Sequence, residues 1–154
     1  MWVDIIIVAL CAGAAAIEAK RGFFPAALDL VGLTLVALVV TRYGSSLAGA
    51  GLSPTLSFAL MYVFLAAAVV TAAKFINDAT KFDIGAFDHP LGGVIGFFVG
   101  VAVSYALVEM LRKAGVAAAT SSILAAEVHE FRTFSSIVSF LRGLGNRPQP
   151  GPVE

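Results

Sequence analysis

Ionisable side chains are sparse in this sequence, so those that fall inside apolar runs are the first candidates for chemistry. Glu18 lies just before Lys20 and Arg21, and Asp29 lies two turns into the next apolar run. Carboxylates within a bilayer are suspects for ion or proton sites. A structural ion pair, or a side chain reaching to the interface, explains them more simply, because both lie close to the end of a run. Glu109 stands one turn before Arg112 and Lys113, and an i,i+3 or i,i+4 partner accounts for it. Lys74, Asp78, Asp88 and His89 form a third group. If the first and third loops share a face, these residues meet Glu18, Lys20, Arg21 and Asp29 in one polar cap. His89 would then be a pH sensor, set against the simpler reading of a solvated loop histidine.

No nucleophile motif, H-E-x-x-H or phosphate-binding G-x-x-x-x-G-K-[ST] is present. Ser135 and Ser136, near His129, read as helix surface. A single cysteine, Cys11, and two distant histidines, His89 and His129, give no metal-ligand cluster. Neither catalysis, a metal nor a cofactor is expected.

The elements that must carry these residues are apolar helices. Of 154 residues, 59% are hydrophobic and 13% charged, against about 25% charged in soluble domains, and the mean hydropathy is +0.93. So much apolar surface calls for lipid as solvent. Lys+Arg and Asp+Glu are ten each, which offers no basic field for nucleic acid.

Four spans are expected over residues 3–19, 23–41, 55–73 and 91–111, within a domain of residues 1–113. The first run lacks the basic start of a signal peptide, so an uncleaved span is preferred. Pro25 suits a first helical turn. The short Lys20-Arg21-Gly22 connection predicts that spans one and two form a tight antiparallel hairpin. An uncharged Gly/Ser-rich loop follows, from Gly44 to Pro54. Asn77, Asp78, Lys81, Asp83 and Asp88 mark a polar loop before Pro90 opens the fourth run. Basic residues on the two faces, four against three, lean towards loops one and three being cytoplasmic.

Residues 114–145 are expected to hold an amphipathic helix, with Leu124, Val128, Phe131, Phe134, Val138 and Leu141 as its apolar stripe and Glu127, Glu130 and Thr133 off it. It would lie on the membrane surface or pack on the bundle. Residues 146–154, with three prolines among polar residues and glycine, read as a disordered tail.

The sharpest pattern is Gly92, Gly96, Gly100 and Ser104, a small residue every four along one face of span four. Such a face lets another backbone approach closely and forms a contact seam in lipid. Span two, span three or another copy of the chain are the partners this pattern leaves open.

The order of these features resembles the colicin V production protein family of small bacterial inner-membrane proteins. An early Asp4 and an apolar run precede Arg21-Gly22-Phe23; two further runs precede Asp88-His89-Pro90-Leu91-Gly92, followed by Gly96 and Gly100. The likeness covers about residues 3 to 113, with a fainter echo in the C-terminal helix. The family usually shows an R-G-F turn and a D-R-x-L-G-x-x-x-G-x-x-R-G stretch. This chain keeps Arg21, Gly22, Phe23, Asp88, Leu91, Gly92, Gly96 and Gly100. It departs with His89 and Val99 where the family often has arginine, and with Ala26 where an acid is common.

The resemblance implies a role in production or export of a peptide toxin, or in envelope integrity. Some related four-span modules anchor a periplasmic serine protease, for which the sequence after residue 113 is expected to be too short. The expectation is therefore an all-α, non-enzymatic, multi-pass protein of the bacterial inner membrane. Its partners are the lipid bilayer and either further copies of itself or other membrane proteins. The rival is a small oligomeric channel or transporter using Asp29 and Glu18.

Overall fold

The computed structural model describes residues 2–44, 51–80 and 84–130. Among these, the chain is helical without strands: α1 (Trp2–Arg21), α2 (Phe23–Tyr43), α3 (Pro54–Thr80), a short 3₁₀ turn (Gly85–Phe87), α4 (Asp88–Lys113), α5 (Ala117–Ser121) and α6 (Ile123–Glu130). The four long helices have the length and apolarity to cross a membrane. Their outward residues are large and apolar, among them Ile5, Val31, Leu35, Val63, Phe64 and Val94, as befits surface solvated by lipid tails. The protein is an all-α, multi-pass membrane protein.

Each span is longer than its apolar core. α3 runs on through Lys74, Asn77 and Asp78, residues expected in the loop, because no glycine or proline between Ala72 and Thr80 interrupts it. Asp88, also expected in the loop, opens α4. Pro90 in α4 and Pro25 in α2 both fall in first turns, where a missing N–H removes no helical bond.

The expected hairpin of spans one and two is only partly formed. The turn is tight, with Gly22 alone between the helices, but α4 packs extensively on both α1 and α2, and those two touch each other far less. α4 is the hub: it runs antiparallel to α1 and alongside α2, while α3 packs against α2. One apolar cluster joins Val3, Ile7 and Cys11 of α1 to Val108 of α4 and to Ala125 and Val128 of α6. A second joins Val36 and Val40 of α2 to Phe58 of α3. Lys113 places its Nζ 5.6 Å from the centre of the Phe58 ring, a cation–π contact that ties the end of α4 to the start of α3.

Past α4, two short helices replace the start of the single expected one, broken where Val116 and Ser122 adopt extended backbone. The described part of the amphipathic segment packs on the bundle: Ala125 and Val128 are buried, and Leu124 lies against the same cluster. The stripe positions Phe131, Phe134, Val138 and Leu141, together with Ser135, Ser136 and the expected tail, lie outside the described residues, as do residues 45–50 and 81–83.

Candidate functional site

The polar side chains gather where α1 ends, α2 begins and α4 begins. Gly22 makes the turn with φ 97° and ψ 174°, a region open to glycine alone. Its N–H donates to the Glu18 carbonyl oxygen at 2.9 Å, closing α1. As the residue preceding α2 it offers no side chain to the unpaired N–H groups of that helix. Asp88 fills the gap from α4: its Oδ1 accepts a hydrogen bond from the Phe23 N–H at 3.1 Å. One residue on, His89 donates from Nδ1 to the Ala19 carbonyl oxygen at 2.8 Å. The histidine expected in a solvated loop is thus exposed but bonded to the last turn of α1.

Beneath this turn lies the acidic pair. Arg21 Nη1 donates to Glu18 Oε1 at 2.6 Å and also to Asp29 Oδ2. One guanidinium therefore spans two carboxylates from two helices. Glu18 is 4% exposed and Asp29 1%, whereas the Arg21 side chain keeps 27% exposure. Lys74 and Asp78 remain exposed on α3 and do not join the cluster. The polar cap thus forms from Glu18, Arg21, Asp29, Asp88 and His89.

The glycine face of α4 packs on α1, a partner outside the three considered from sequence. A Cβ on Gly92 would lie 2.6 Å from the Glu18 carbonyl oxygen; one on Gly96 would lie 2.6 Å from the Glu18 Cβ and 2.8 Å from the Ala14 carbonyl oxygen. At Gly100 it would run into the Cys11 backbone. These glycines let the two backbones approach within a distance that no side chain permits. Gly92, Gly96, Gly100 and Ser104 are all buried, whereas Leu91 is 39% exposed on the outer side. A complementary signal was present in α1: Cys11, Ala15 and Ala19 are also small residues four apart.

Two further contacts had no signal in local spacing. Asp4 Oδ1 accepts hydrogen bonds from Ser122 Oγ at 2.6 Å and from the Leu124 N–H at 3.1 Å, and Ser122 Oγ in turn accepts from the Ala125 N–H at 3.0 Å. α1 therefore helps to cap α6. Glu109 does pair with Lys113, at 3.2 Å, but also meets His129 Nε2 at 3.4 Å, and the His129 ring stands edge-on to Tyr105.

No group of three or more His, Cys, Asp or Glu among the described residues is placed to hold a metal ion. Two apolar hollows open on the bundle, one beside Cys11, Phe97 and Val128 and one beside Thr34, Phe98 and His129; neither is lined by Glu18, Arg21 or Asp29.

Compared with protein-family models, with curated proteins and with solved structures, the chain matches none. What its four apolar helices and their packing establish is an all-α protein that crosses the membrane several times.

Proposed function

We propose that this chain is a non-catalytic protein of the bacterial inner membrane, similar to the colicin V production family. In this reading it supports toxin production or secretion, or envelope homeostasis, through helix–helix contacts with other membrane proteins. The observation that carries the reading is the meeting of Asp88 with the Phe23 N–H. The two segments on which the resemblance rests, Arg21-Gly22-Phe23 and Asp88 to Gly92, build one corner. In this reading the corner serves to lock three spans together. Because the glycine seam is occupied by α1, contacts with partners fall on other faces.

The test is genetic and direct. A strain lacking the protein is scored for export of a peptide toxin and for sensitivity to envelope stress, then complemented with the wild-type chain. Loss of either property with recovery on complementation supports the reading; no change in either contradicts it.

The transporter reading draws on the burial of Glu18 and Asp29. Their shared bond to Arg21 favours a fixed knot over a conducting path. Flux through liposomes containing the purified protein, lost in Asp29→Asn, would favour transport instead.

A further inference from the structure

We infer that the corner between α1 and α2 is a proton-binding site, in which Glu18 and Asp29 hold one exchangeable proton between them beside Arg21. The inference goes beyond the proposed role and is independent of which partner the protein serves.

Glu18 and Asp29 both bond the same guanidinium nitrogen, so two acids face one base. Lys20 is exposed, Asp88 is engaged with the α2 backbone and His89 with the α1 backbone. From α3, Lys74 and Asp78 point to the exterior. Among the described residues Arg21 is the one cation paired with the two acids. With both acids ionised, the corner would hold an uncompensated negative charge beneath apolar helices, and buried charge without a partner is strongly unfavourable.

Glu18 Oε2 and Asp29 Oδ1, the oxygens turned away from Arg21, are buried without a hydrogen-bond partner. Buried polar atoms are rarely left so. Because Glu18 Oε1 and Asp29 Oδ2 both bond Arg21 Nη1, the two carboxyl groups sit side by side. A single proton on one of them supplies the missing positive charge and the missing donor together.

A metal ion fits less well. It needs several oxygen ligands, and the guanidinium already occupies the space between the carboxylates. Access for a proton is open, because Arg21 keeps 27% exposure where the corner meets the membrane surface.

Infrared spectroscopy of the full-length protein in lipid, near neutral pH, tests this. The wild type is expected to show the carbonyl stretch of a neutral carboxylic acid, shifted on transfer to D₂O. Glu18→Gln and Asp29→Asn should each abolish it, since either change leaves one carboxylate for one guanidinium. Far-UV circular dichroism selects the variants that keep wild-type helicity, and the wild-type spectrum stands as a test without them. Absence of the acid band in the wild type overturns the inference. So does a band that survives either substitution in a folded variant, or carboxylate bands that shift with added sodium in place of an acid band.

Discussion

Asp88, in the first turn of α4, accepts a hydrogen bond from the backbone N–H of Phe23, 65 residues earlier in the chain. A helix start that lacks its own capping side chain is thereby capped by its neighbour. Removing the acceptor in Asp88→Ala is expected to destabilise the protein by about 0.5–2 kcal/mol, the range for lost N-caps. Asp88→Asn, which keeps an acceptor oxygen, should retain most of that. Unfolding by denaturing detergent gives the magnitude, and faster hydrogen exchange at the Phe23 amide would locate the effect.

Gly22 should be the least replaceable residue of the same turn. Its φ of 97° is strained for any L side chain, and a Cβ there would strike the Asp88 carboxylate. Gly22→Ala is expected to cost about 1–3 kcal/mol. Adding Asp88→Ala removes the clash but not the strain, so the double variant should be more stable than the two separate losses predict. A double-mutant cycle measured by unfolding checks this.

The seam gives a contrast between two glycines. Gly96 has the backbone of α1 against it, whereas a Cβ on Gly13 would meet nothing within 4 Å. Gly96→Leu should destabilise by about 1–3 kcal/mol or more. Gly13→Ala should be neutral or stabilise by up to about 1 kcal/mol, since alanine favours helix. Comparable unfolding midpoints for the two variants would remove the seam from the account.

Much of this arrangement was legible in the sequence because lipid demands long apolar runs, and the small residues at 92, 96, 100 and 104 mark a close contact whatever lies opposite. Lysine and asparagine near the end of α3 misplaced its boundary, because charge shows where lipid ends and not where a helix ends. The partner of the seam was missed because a short connection suggested that α1 would pair with α2; a tight turn fixes the ends of two helices but not the gap between them, and α4 fills that gap. The bond from Asp4 to Ser122 joins residues 118 apart, and no local period encodes such a distance.

That same bond predicts how α6 is held. Asp4→Ala removes the acceptor for Ser122 Oγ and the Leu124 N–H, and should loosen α6 while leaving the four spans in place. Ser122→Ala should act through the same contact, so the two effects should not add. Hydrogen exchange at the Ala125 and Val128 amides reads the local opening.

Arg21→Met leaves Glu18 and Asp29 buried without their cation, at an expected cost of about 3–5 kcal/mol. Neutralising both acids in the same chain, with Glu18→Gln and Asp29→Asn, should recover most of that loss. Unfolding of the single and triple variants in one detergent makes the comparison, and equal instability of both would show that packing rather than charge holds the corner.

The whole arrangement depends on α1 and α4 of one chain lying face to face. A Cβ on Gly93 would sit 3.3 Å from the Ala19 Cβ, within a few tenths of an ångström of the roughly 3.5–4.5 Å found in disulfides. With Cys11→Ala in place, Gly93→Cys and Ala19→Cys in one chain are oxidised in native membranes and resolved by non-reducing electrophoresis. The account predicts a disulfide within a single chain, formed without dimer. A bridge that appears only between two chains, or no bridge at all in protein that remains folded in the membrane, would contradict it.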